Sequence, residues 1–223
     1  LYKTKIIGTS NPASLLRDSQ EAEEFKVEFG LGVCSFCKTL NNLNTKKNLF
    51  NAKEFEWIVY SEPEYHFENI LKKIKANQND IGKFDYVIGL SYKDASLVEK
   101  IQNKLHIKGS CDDLVATTSK WRNLDLTDAS LTFTEAIENK TKGAESVLII
   151  ARRVLDHCAD IVKLLKSLSK IDKKITIYSE FNDYANEIFM GNSSFIWNER
   201  TFYPFPSQIG LIMKEAGLYI QEV

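Results

Sequence analysis

The chain has 223 residues, 29 of them basic and 30 acidic, so a formal net charge of −1 gives no global pull toward nucleic acid or anionic lipid. With 43% hydrophobic residues it can bury a sizeable core, as one α/β domain or one domain with a small appendage. No apolar run approaches the roughly 20 residues of a membrane span. The four cysteines make no paired framework of the secreted type, and Cys111 and Cys158 fall in apolar or strand-like text. A cytoplasmic protein with reduced thiols is expected. The opening "LYKTKIIGTS" has neither a signal-peptide core nor an initiating Met, so the sequence is expected to begin inside a longer chain.

Residues 1–48 read as a small irregular N-terminal region, rich in Gly, Ser, Asn and Thr with little periodicity. Residues 49–223 read as the main domain. There "YHFENILKKIKA" puts Phe67, Ile70, Leu71 and Ile74 on one helical face. "FDYVIG" is a strand, and "ASLVEKIQNKL" is a helix with Leu97, Val98, Ile101 and Leu105 inward. "HIKGSC" is a short strand, and "FTEAIENKTKG" a helix stopped by Gly143. "ESVLIIA" is apolar on both faces, as a central parallel strand is. A helix carrying Ile161, Leu164, Leu165, Leu168 and Ile171 follows, then the strand "KKITIYSE". "PSQIGLIMKEAG" is a helix with Ser207 as N-cap and Gly217 just past its end, and "LYIQEV" is a last strand. The alternation predicts an α/β fold, a doubly wound and mainly parallel Rossmann-like sheet with helices on both faces.

In such sheets ligands bind outside the carboxyl ends of the strands, near the point where strand order reverses. Residues 89–94, 111–113, 151–157 and 179–183 are therefore the positions of interest. A single glycine, Gly89, stands at the first strand–helix junction, where dinucleotide loops carry two or three; the G-x-G-x-x-G of a nucleotide-binding oxidoreductase is missing. Cys34 and Cys37 have metal-ligand spacing, but a closed zinc site needs four ligands, so they are either half of a site or two unliganded thiols. The basic runs "KKIK" and "NTKKN" read as solvated faces, and neither nucleic acid nor a membrane is expected as a partner.

Three segments, in order, carry a family resemblance. "ARRVLDHCAD" (151–160), after "GAESVLII", resembles the fourth-strand region of class I S-adenosylmethionine-dependent methyltransferases, where a strand runs into "VLEH…D" and a helix. "FIWNERTFYPFPSQIGLIMKEAGLYIQEV" (195–223) resembles the "IWEEH-x-x-YF-x-P" segment of the sugar C-methyltransferases, which act on nucleotide-linked deoxysugars. "KIIGTSNPASLLRDSQEAEEFKVEFGLGVCSFCKTLNNL" is similar to their small zinc-binding domain, and "FEWIVYSEP" (55–63) falls where they line the sugar site.

The resemblance implies S-adenosylmethionine over Gly89 and Ser91, with Asp112 at the ribose and Ala151 and Arg152 along the adenine. It implies zinc at Cys34 and Cys37, a small-molecule substrate such as a nucleotide-sugar, and a chain that continues beyond residue 223. The departures are equally specific. Leu90, Tyr92 and Lys93 replace small or acidic residues, which crowds the methionine approach and weakens cofactor binding. The family's "WEEH" is here "WNER", so Glu199 is kept and Arg200 replaces the histidine. Arginine does not accept a proton near neutral pH. The base would then be Glu199, His157 or Tyr60, while Arg200 pairs with Glu199 or clamps a phosphate. His157 would cap or brace the following helix. The alternative is a non-catalytic binding or scaffold module on a methyltransferase fold, without working cofactor or base residues.

Overall fold

The computed structural model describes residues 3–9, 26–43, 63–111, 134–158, 160–192, 195–196 and 200–221. Its centre is a four-stranded, fully parallel sheet built from β4 (Tyr86–Gly89), β5 (Lys108–Cys111), β6 (Ser146–Arg152) and β7 (Lys174–Glu180), in the order β5-β4-β6-β7. All seven residues of β6 are buried, as the unbroken apolar run "SVLIIA" requires of a strand covered on both faces. Its side chains divide by alternation. Val147, Ile149 and Ala151 meet α4 (Ile161–Leu168) and α6 (Pro206–Glu215), while Leu148 and Ile150 meet α1 (Phe67–Ile81) and α2 (Ala95–Leu105). Ile137, from the helical residues 134–140 (α3), joins the first of these layers. Each large apolar side chain so covered contributes about 1.5–3 kcal/mol. The protein is thus α/β, with helices on both faces of a parallel sheet, as the alternating pattern predicts.

Local signals set the helix ends. Asp160 caps α4, its carboxylate accepting the Lys163 backbone N–H at 2.9 Å. The expected cap on this helix, His157, lies earlier, in a short 3-10 turn over Leu155–His157. At α6 the N-cap is Phe205 rather than Ser207, because Pro206 takes the first helical position, where its missing N–H costs nothing. Gln208 Oε1 then accepts the Phe205 N–H. Gly217, at φ 77°, ends the helix as expected: its N–H reaches Lys214 O and that of Leu218 reaches Met213 O, closing a Schellman motif.

Two further expectations fail. Residues 218–221 of "LYIQEV" form no strand, and Leu218 and Ile220 instead pack against the α4/α6 layer. Residues 1–48 are not irregular throughout. β1 (Lys3–Thr9), β2 (Lys26–Val33) and β3 (Leu40–Asn42) form an antiparallel sheet completed by β8 (Phe202–Tyr203), in the order β1-β2-β3-β8. The strand period was present at Val27, Phe29, Leu31 and Val33, masked by the glycines between them. A short helix, α5 (Ala185–Phe189), follows β7. No described helix is long and apolar enough to cross a membrane.

Candidate functional site at the strand tips

β4 pairs with β5 on one side and β6 on the other, so the strand order reverses between the tips of β4 and β6. The chain's own groups fill that crevice. Leaving Gly89, the backbone turns inward through buried Leu90 and Ser91 to buried Asp94. Asp94 Oδ2 accepts the N–H groups of Leu90 at 2.9 Å and Ser91 at 2.8 Å and the Ser91 hydroxyl at 3.3 Å. Its Oδ1 accepts the Arg152 N–H at 2.8 Å, tying the β4 loop to the β6 tip. Burial raises the Asp94 carboxyl to about 7, against the four donors, which lower it. The glycine at 89 is needed for the same packing. A Cβ there would stand 2.8 Å from Asp94 Cβ and from Cys111 Sγ, and the Cys111 thiol donates to Ser91 O at 3.0 Å. Gly89, Ser91, Ala151 and Arg152 lie together at the β4 and β6 tips, all of them buried. Asp112 lies outside the described residues.

Arg152 does not line an open surface. Its Nε donates to Glu180 Oε2 at 3.1 Å, its two terminal nitrogens donate to Lys93 O at 2.9 Å and Pro63 O at 2.7 Å, and the guanidinium stacks 4.5 Å from the Phe67 ring. A buried charge is tolerated when so paired and hydrogen-bonded. Glu180, at the β7 tip, also accepts from His66 Nε2 at 2.8 Å and the Tyr178 hydroxyl at 3.1 Å. Burial, then the neighbouring Glu180 charge, raises the Tyr178 pKa, so the phenol stays a donor.

A second polar cluster joins two segments of the resemblance. Asp156, fully buried, accepts the Tyr184 hydroxyl at 2.7 Å and pairs with Arg200 Nε at 3.3 Å, both on Oδ2. Its backbone carbonyl accepts the Thr201 N–H at 2.9 Å and hydroxyl at 3.0 Å. His157 Nε2 stands 3.7 Å from Asp156 Oδ1. Arg200 also donates to Phe195 O at 3.1 Å and lies 5.3 Å from the Tyr184 ring centre. Burial and the Asp156 charge raise the Tyr184 pKa. Arg200 is thus a buried ion-pair partner of Asp156; its expected partner Glu199, and Tyr60, lie outside the described residues.

Cys34 and Cys37 sit in the turn between β2 and β3. Cys34 N donates to Thr39 O and Lys38 N to Cys34 O, with Lys38 in the left-handed region at φ 60°. The Cys34 pKa is lowered, first by the backbone N–H of Cys37 and also by that of Phe36, the Cys37 thiol and Lys38. Such a turn presents two sulfurs that suit zinc as half of a tetrahedral set. Among the described residues no group of three or more His, Cys, Asp or Glu gathers to hold a metal ion.

The partnered polar groups that the sequence did not single out are Asp94, Glu180, Tyr184 and His66, while Asp156 stood only within the resembling segment "VLDH". The acids Asp94, Asp156 and Glu180 lie within the segments expected to matter, after β4 and β6 and at the last residue of β7, so their position was the available signal. His66 carried none, because its partner is 114 residues away. Neither the comparison with protein-family models nor that with curated protein sequences finds a match.

Proposed function

We propose that the chain is a methyltransferase-like α/β domain of the sugar C-methyltransferase type. Its ligand is a nucleotide-linked sugar or another small molecule, bound outside the carboxyl ends of β4, β6 and β7. One observation carries this reading: Asp156 of "VLDH" and Arg200 of "WNER", 44 residues apart, pair at 3.3 Å. The contact brings two of the resembling segments together.

S-adenosylmethionine would supply an electrophilic methyl group to such a domain. Beside Gly89 the chain's own Asp94 and Cys111 already fill the side a Cβ would take. This favours a second reading, a binding or scaffold module on the same fold that transfers no methyl group. Calorimetric titration separates the two. Saturable heat with S-adenosylmethionine or S-adenosylhomocysteine, with methyl transfer to a nucleotide-linked deoxysugar, supports the transferase. Heat with the nucleotide-sugar alone supports the module, and no heat with either sinks both. For Cys34 and Cys37 we propose zinc, with its other ligands outside the described residues. Elemental analysis of the full-length protein finding no zinc, or zinc that survives Cys34→Ser undiminished, refutes it.

A further inference from the structure

β7 stands at the end of its sheet, and its outer edge meets no strand among the described residues. Two backbone bonds fix which groups face that edge. The Lys174 N–H donates to Glu145 O at 2.8 Å, and Glu180 O accepts the Arg153 N–H at 2.9 Å. Both residues therefore turn their backbone groups toward the β6 side. Direction alternates along a strand, so Thr176 and Tyr178 turn the same way, while Ile175, Ile177 and Ser179 turn outward. Each of these three presents an N–H and a C=O that no described group meets.

Nothing in β7 blunts this edge. Exposed edges are normally kept short, bulged, or interrupted by proline or charge. β7 runs for seven residues in unbroken register with β6, and "KITIYSE" confines its charges to the two ends. Its middle is β-branched and aromatic. Ile175 and Ile177 reach the α4/α6 layer and Tyr178 the α1/α2 layer, each only partly buried. By contrast β5, at the other end of the sheet, has four residues, and its Gly109 carbonyl is taken by Gln102 Nε2 at 2.7 Å.

We propose that β7 is the seam through which two copies of this chain join, antiparallel across a two-fold axis at Ile177. The proposal does not rest on the ligand reading above. A second copy is the occupant because the strand supplies its own complement, in hydrogen-bond phase and in charge. Ile177 meets Ile177, and Ile175 meets Ser179, as hydrogen-bonded pairs, so every outward N–H and C=O of both strands is met. Thr176 stands opposite Tyr178, and at both ends Lys174 of one copy stands opposite Glu180 of the other. Moving the axis to residue 176 or 178 removes both Lys–Glu pairs and sets Glu180 opposite Asp172 or Thr176. The charged pair has capacity left. Glu180 accepts Arg152 on Oε2 and His66 and Tyr178 on Oε1, against about four lone-pair sites in a carboxylate. The exposed Lys174 donates to Ile81 O within one copy, and its ammonium has further donors.

Sedimentation equilibrium of the full chain over a dilution series, with amide hydrogen exchange followed residue by residue, reads both the assembly and its seam. A monomer–dimer equilibrium is expected. The Ile175, Ile177 and Ser179 amides should be slow in the dimer and fast in the dilute monomer, while Thr176 and Tyr178 stay slow in both. Ile177→Pro removes an outward N–H and no bond to β6, so the dimer should be lost. Lys174→Glu sets like charges opposite each other at both ends and should weaken association about tenfold. Amide exchange and Lys174→Glu decide the matter if Ile177→Pro does not fold. A monomer at every concentration overturns the proposal. So does a dimer whose three outward amides exchange freely, or one that Lys174→Glu leaves undiminished. Slow outward amides in a monomer would mean that the chain itself covers the edge, and would overturn it as well.

Discussion

Replacing Arg200 by alanine tests whether the Asp156 cluster is an organising contact of the strand tips. At 3.3 Å and an effective dielectric of about 20, the gross attraction is about 5 kcal/mol. Removing one partner of a buried pair leaves an uncompensated charge, at a cost of about 3–5 kcal/mol. The Tyr184 hydroxyl, 2.7 Å from the same oxygen, stays as a donor and offsets part of this. Loss of the guanidinium over the Tyr184 ring adds about 1 kcal/mol. Arg200→Ala should therefore destabilise the fold by about 3 kcal/mol in urea unfolding, with an unchanged m-value. In the double mutant with Asp156→Asn most of that cost should disappear, giving a coupling energy of about 2 kcal/mol. A loss below about 0.5 kcal/mol, or an additive cycle, refutes the buried pair. The same argument bears on Arg200→His. That change restores the residue type of the resembling enzymes, but breaks a pair the neighbouring segments rely on. It is expected to destabilise the protein without restoring base function.

Gly89→Ala should cost about 1–3 kcal/mol, because its Cβ would meet Asp94 Cβ and Cys111 Sγ at 2.8 Å. Cys111→Ala should recover part of that loss in urea unfolding, and purely additive costs would refute the shared crowding. For Asp94, burial raises the folded-state carboxyl to about 7. The unfolded chain titrates near ~3.9. The native state therefore keeps a proton that the unfolded chain releases, and stability falls as pH rises from about 4 to about 7, by up to about 4 kcal/mol. Unfolding of wild type and Asp94→Asn at pH 5 and pH 8 isolates this contribution; parallel pH dependences in the two proteins would remove it.

The layers of the fold were legible where periodicity was strong. "ESVLII" declared a central strand because no face of it is polar, and Phe67, Ile70, Leu71 and Ile74 declared the buried face of α1. The N-terminal strands were obscured because glycines broke the alternation of β2, and because β8, which completes their sheet, lies about 160 residues further along. "LYIQEV" has strand-like composition, yet Leu218 and Ile220 lie against helices while Tyr219 is exposed. Burial, rather than propensity, decides such short segments.

The site was legible as a set of positions and illegible as a set of partners, for one physical reason. An acid placed just after a buried strand must find a cation or several donors, since an unpaired buried charge is too costly to keep. The requirement is local, but its solution is not. Glu180 is met by Arg152, 28 residues back, and by His66, 114 residues back; Asp156 is met by Arg200, 44 residues ahead; Asp94 is met by Leu90 and Ser91 in the turn after β4 and by the Arg152 N–H at the end of β6. Sequence therefore announces that each strand tip needs an answer without saying where it comes from. The answers also differ in kind. Those at Asp94 and Asp156 close inward, onto backbone N–H groups, a buried phenol and a buried guanidinium. The one at Glu180 ends on the half-buried His66 imidazole, so the same demand for charge pairing that closes two strand tips inward reaches toward solvent at the third.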